Sequence, residues 1–215
     1  MSWFVAAITT AIAAFAATNI DDIIVLMLFF TQVNATFHRS HIVAGQYLGF
    51  TAIIVASLPG FFGGLIVPRT WIGLLGLVPI VIGISYLLKK TTDEVQEVAH
   101  FDLTPSKSVF SKIAGILSPQ TYKVAAVTVA NGGDNIGIYV PLFASNNIAS
   151  LGVILCIFFL LVGVWCYLGY QLTRHRVVAL VLTRYTSALI PFIFIGLGIF
   201  ILIKSDTLTL LPLPT

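Results

Sequence analysis

Charge is the scarcest ingredient of this chain. Asp, Glu, Lys and Arg make up 9% of its 215 residues, against 58% hydrophobic ones. A soluble domain carries about 25% charged residues, so a surface bathed in water on all sides is excluded. What remains is a chain suited to lipid, long enough for several spans of about 20 residues each. Cysteine is scarce too. Cys156 and Cys166 lie in one apolar run, which excludes a disulfide framework and a zinc-binding spacing. Small apolar packing is their expected role. A basic n-region with a small-residue cleavage site is missing, so the first segment is expected to be a retained span. The sequence contains no GxxxxGK[ST] loop and no glycine-rich nucleotide fingerprint. Nothing points to nucleic acid. The net charge of +3 is expected to serve topology and headgroup contact.

Polar breaks divide the apolar sequence into six expected spans, at about 3–32, 42–66, 71–88, 122–144, 148–171 and 186–204. With no water in the bilayer core, each should be helical. The fold class expected is therefore an all-α integral membrane protein of one transmembrane domain, 1–215. The loops after spans one, three and five hold Arg39, then Lys89, Lys90, Lys107 and Lys112 with Lys123 close by, then Arg174, Arg176 and Arg184. The other side has Arg69 and Lys204. The positive-inside rule puts the first set in the cytoplasm and both termini outside. The stretch 89–112, with Asp93, Glu94, Glu97, His100 and Asp102, reads as a solvated cytoplasmic loop. His38, His41 and His175 also fall in loops on that side.

The sequence repeats weakly at an offset of 112 residues, from 19 to 131. Asn19 falls on Asn131, Asp22 on Asp134, Ile24 on Ile136, and further on Leu77 falls on Leu189 and Pro79 on Pro191. Three spans separate equivalent points, so the halves must cross in opposite directions. Repeat one is 1–88 and repeat two is 113–215, joined by the loop 89–112. Inverted repeats of this kind mark secondary transporters, whose sites lie near the midplane on broken helices. Helices 1 and 4 are expected to be broken. In helix 1 the interruption falls near Asn19 to Asp22. In helix 4, Gly132 and Gly133 precede Asp134, and Pro141 follows.

Of the acids, Asp21, Asp22 and Asp134 fall within the spans. Each costs about 2.5–3.5 kcal/mol at a helix centre, and no lysine or arginine lies at matching depth. Protons or a bound cation must compensate. At i, i+3 spacing Asn19 can face with Asp22, and Asn131 with Asp134; Asn135 stays on that face. Asp21 joins them if the helix is unwound. Carboxylates, amide oxygens and freed carbonyls suit a divalent cation. Asp22 and Asp134 would balance its charge. Asp21 aligns with Gly133, has no repeat partner, and is the candidate for a coupling proton. Gln46 is a possible additional residue of the site, with an interhelical hydrogen bond as its plainer reading. Tyr47, Tyr86 and Tyr139 are expected at interfaces or in packing. Gly45/Gly49 and Gly60/Gly64 have the spacing that brings helices close.

The segments "ATNIDDIIVLMLFF", "GQYLGF" and "VANGGDNIGIYVPLFA" resemble the CadD-like cadmium resistance transporter family, within the LysE superfamily of six-span exporters. The resemblance implies export of Cd2+ or a similar divalent cation across a bacterial plasma membrane. It implies a metal site at Asn19, Asp21, Asp22, Asn131, Asp134 and Asn135, with Gln46 matching more loosely. Acidic motifs offer hard oxygens, so Mn2+ or Ca2+ suits them as well as soft Cd2+. The expected partners are the transported cation, protons and the bilayer, with no permanent cofactor; a homodimer is left open.

Other classes fit less well. An intramembrane aspartyl protease needs a GxGD unit and a Tyr-Asp pair, whereas here the first reads Asn131-Gly132-Gly133-Asp134 and the second is missing. An enzyme is therefore not expected. An amino-acid exporter would bring a carboxylate against three aspartates with no intramembrane arginine to receive it.

Overall fold

The structure, a computed structural model, describes residues 2–88, 118–174, 191–205 and 207. Its regular elements are all helical. The first half contains α1 (Ser2–Asn19), α2 (Asp22–Thr31), α3 (Arg39–Ile66), the single turn α4 (Arg69–Ile72), a 3-10 turn (Gly73–Gly76) and α5 (Leu77–Leu88). The second contains α6 (Pro119–Asn131), α7 (Asn135–Ala144) and α8 (Ile148–Leu172), then α9 (Pro191–Lys204). The expected cytoplasmic loop 89–112, with its lysines, acids and His100, lies outside the described residues, as do His175, Arg176 and Arg184.

Two helices, α3 and α8, are each long and apolar enough to cross a membrane, and the bent pair α1–α2 makes a third if counted as one span. Expected spans three, four and six are built from shorter apolar pieces. The reason is local. Gly73 and Gly76 interrupt span three, and Gly132 and Gly133 interrupt span four. Glycine and proline disfavour helix interiors.

The interruption between α1 and α2 bends the chain by 59°. Thr18 and Asn19 turn their side chains back on the preceding turn: Thr18 Oγ1 donates to Ala14 O at 2.9 Å, and Asn19 Nδ2 donates to Phe15 O at 2.9 Å. Such local bonding competes with helix continuation. Ile20 and Asp21 form a turn, and α2 restarts with Asp22 in its first turn, where the helix dipole favours an acid. In the second half α6 stops at Asn131, 112 positions after Asn19, and residues 132–134 form the turn before α7.

The two long helices are shared reciprocally. α3, from the first half, packs along α6 and α7 of the second, while α8 packs along α1 and α2 of the first. Glycines set the approach of α3. A Cβ on Gly45 would come 2.7 Å from Thr121 O, one on Gly49 2.7 Å from Ala125 O, and one on Gly60 2.6 Å from Val140 O. Gly64 meets the backbone of Ala144 in the same way. Close approach is what their small-residue spacing predicted.

The helix ends gather at two levels. At one, Phe29 of α2, Gln32, Asn34 and Phe37 beyond it, and Gln120 and Lys123 of α6 line a cavity of about 430 Å³. Arg39 stacks over the Tyr170 ring there, 4.2 Å from its centroid. At the other, Trp3, Gly64, Asn146, Ser150 and Lys204 are among the residues around a cavity of about 300 Å³.

Candidate cation site

The two helix breaks bring buried polar groups together. Asp22, at the start of α2, is 4% exposed. Its Oδ2 accepts from Gln46 Nε2 at 3.0 Å, and its Oδ1 accepts from Asn131 Nδ2 at 2.6 Å. Asn131 Nδ2 also donates to Asp21 Oδ2 at 3.1 Å. Gln46 is held in turn, because its Oε1 accepts from Thr128 Oγ1 at 2.7 Å. One connected network thus joins α2, α3 and α6. Asp21 takes part because the helix is unwound at its position, which brings it to the same amide as Asp22. No lysine or arginine among the described residues hydrogen-bonds to either carboxylate.

A second cluster surrounds Asn19. Its Nδ2 donates to Phe15 O, to Thr18 Oγ1 at 2.7 Å and to Tyr139 OH at 2.9 Å. The Tyr139 and Thr18 hydroxyls are 2.7 Å apart. Its backbone carbonyl accepts from Trp165 Nε1 at 2.6 Å. Asn19 Oδ1, by contrast, is fully buried and has no hydrogen-bond partner. An orphaned acceptor in an apolar interior costs about 1–3 kcal/mol.

The structure does not treat the two repeated units alike. Asp134 precedes α7, is exposed, and caps no helix amide. Asn135 is buried, and among the described residues neither one reaches another side chain by a hydrogen bond. The helix break expected from Gly132 and Gly133 falls between Asn131 and Asn135. Among the described residues no three His, Cys, Asp or Glu side chains cluster closely enough to hold an ion by themselves. Any cation here must draw on amides and carbonyls. The amides of Gln46 and Asn131 present nitrogen to Asp21 and Asp22. An ionised carboxylate only accepts hydrogen bonds, so the amide donors turn towards it.

An aromatic layer adjoins the Asn19 cluster. Phe15, Phe50, Tyr139, Phe143 and Phe158 are each at most 1% exposed and come from α1, α3, α7 and α8. Tyr139 packs on Phe158 with ring centroids 4.9 Å apart, and Phe15 meets Trp165 at 5.2 Å. Sequence reasoning assigned Tyr139 to packing and passed over Trp165, Thr18 and Thr128. A signal existed for each. A phenol or indole in the middle of an apolar span needs a hydrogen-bond partner. Thr18 and Thr128 sit one and three residues before the paired asparagines. Cys156 is exposed on α8 and Cys166 is buried, both as free thiols. His38 and His41 cap the start of α3 through each other's rings and backbone.

Long apolar helices, one pair of them broken beside a buried carboxylate, define an all-α membrane protein. The family follows from the chain itself. Residues 15–213 match the cadmium resistance transporter family, and the chain belongs to that family. Comparison with curated proteins and with solved structures returned no match.

Proposed function

We propose that the protein is a secondary active exporter of a divalent cation, Cd2+ first, working by alternating access and proton antiport. The observation that carries this reading is Asp22, a buried carboxylate held by amides instead of by a lysine or arginine. An intramembrane carboxylate of this kind marks an ion pathway. Asp22 and Asp134 supply charge, and Asn19 and Asn135 supply amide oxygen. Asn131 and Gln46 border the site, and Asp21 shares the cation with Asp22 and takes up the coupling proton when the cation leaves.

The architecture in this proposal is six spans in two inverted three-helix halves. Two features support it: the breaks after Asn19 and Asn131 fall in one register, and α3 and α8 each pack on the broken helix of the opposite half. α1–α2 runs from the level of Trp3 to that of Gln32, whereas α6–α7 runs from the level of Gln120 to that of Asn146. Arg39 and Lys123 sit at one level and Lys204 at the other. This supports a bacterial plasma-membrane protein with both termini outside. Moving a cation outward against an inside-negative membrane costs about 2.3 kcal/mol per charge per 100 mV, which favours coupling to protons.

Mn2+ or Ca2+ is the second reading, favoured by the hard carboxylate oxygens of Asp21 and Asp22. Competition of Cd2+, Zn2+, Mn2+ and Ca2+ for the purified protein decides between them. Displacement of the others by Cd2+ supports the first reading, and preference for Mn2+ or Ca2+ supports the second.

A further inference from the structure

Asn131 occupies the join between the two halves. It is the last residue of α6, and its single side-chain nitrogen bonds two carboxylates at the start of α2, at 2.6 Å to Asp22 and 3.1 Å to Asp21. The two amides of the network differ in freedom. Gln46 is tied at both ends, by Asp22 on its nitrogen and Thr128 on its oxygen, and cannot turn over without losing both. Among the described residues Asn131 is tied through its nitrogen alone, its Oδ1 meeting no hydrogen-bond donor there.

A divalent cation shared by Asp21 and Asp22 needs the same two oxygens, at about 2.3–2.6 Å for an ion such as Ca2+. The Asn131 nitrogen stands where that cation must sit. We propose that Asn131 is an interhalf latch: its amide holds the two carboxylates until a divalent cation displaces it, which breaks the direct side-chain link from α6 to α2 and leaves the indirect one through Gln46 and Thr128. This rests on the assignment of Asp21 and Asp22 to the cation site. A ligand shifts a conformational equilibrium only through different affinities for its states. Here the difference is explicit, because the carboxylate pair binds either the amide of the second half or the cation. Occupancy of the site and contact between the halves are thereby linked. Gln46, tied within the network, stays with Asp22 throughout.

The latch makes the opposite prediction from a ligand role for Asn131. Cd2+ is titrated into the protein in lipid nanodiscs at alkaline pH, where protons compete least. The unmodified chain is compared with Asn131→Ala, Asn131→Leu and Asp22→Asn. Loss of a competing charge-assisted hydrogen bond tightens Cd2+ binding by about tenfold in both Asn131 variants, while Asp22→Asn loses saturable binding. Weaker or unchanged binding in the Asn131 variants, with Asp22→Asn still deficient, overturns the latch and leaves the site standing. Full binding by Asp22→Asn overturns the site itself. Should neither Asn131 variant fold, spin labels at Leu28 of α2 and Val129 of α6, both exposed, read the latch in a chain that keeps Asn131. Their separation changes on addition of Cd2+; an unchanged separation overturns the proposal.

Discussion

Trp165 donates its indole N–H to the backbone carbonyl of Asn19 at 2.6 Å, at the residue where α1 stops. A helix end leaves carbonyls without intrahelical partners, and the bilayer core has no water to supply them. The donor comes from α8, in the other half of the chain. Its ring is fixed by Phe15, edge to face, with centroids 5.2 Å apart. The break in the first half is therefore held open by the second.

Replacing Trp165 by Phe keeps the ring and removes the donor. The buried carbonyl then lacks a partner, and stability falls by about 1–3 kcal/mol. Thermal unfolding followed by circular dichroism reads this as a lower midpoint. Trp3→Phe, at a position 52% exposed, leaves the midpoint unchanged.

Tyr139 holds both Thr18 and Asn19 through one hydroxyl. Tyr139→Phe costs about 1 kcal/mol and leaves the Asn19 amide freer to turn. Cd2+ affinity is expected to fall, because the Asn19 oxygen is no longer presented in one orientation. Tyr167→Phe is the control, since Tyr167 is exposed and bonded by Gln171 on the same helix. Equal affinities for both variants would contradict this role for Tyr139.

The contact of α3 with α6 depends on the lack of a side chain at Gly49, where a Cβ would come 2.6 Å from Thr128 Cβ. Gly49→Leu pushes apart the helices that carry Gln46 and Thr128. Overpacking of this kind costs about 1–3 kcal/mol, read as reduced yield of folded protein in size-exclusion chromatography. Gly63→Ala, where nothing lies within 4 Å of the added Cβ, is tolerated.

The proposed orientation predicts which positions meet the outside. In a chain with Cys156 and Cys166 replaced by Ser, a membrane-impermeant thiol reagent labels Ile148→Cys on intact cells. It labels Thr36→Cys only after permeabilisation. The reverse pattern would invert the topology.

Much of the plan was legible in the sequence because membranes write it in simple terms. Scarce charge gave the membrane class, and the glycine spacings of α3 anticipated its contacts with α6 and α7. The unwinding that brings Asp21 beside Asp22 followed from two acids crowded into an apolar run. Other parts were not legible. Spacing located the break at Gly132 and Gly133 but not what Asn131 reaches there, which is Asp22 in the other half. It also treated Asp22 and Asp134 as equivalents, whereas Gln46 and Asn131 engage the first and no side-chain hydrogen bond reaches the second. Trp165 and Tyr139 act across more than a hundred residues of sequence, a distance at which spacing says nothing.

Uptake of Cd2+ into inside-out membrane vesicles, with and without an imposed pH gradient, tests the central claim most directly. The unmodified protein accumulates Cd2+ and slows when the gradient is collapsed, and Asp22→Asn and Asp134→Asn vesicles stay at background. Undiminished uptake by the two aspartate variants, or a rate indifferent to the gradient, would contradict a proton-coupled exporter working through these carboxylates.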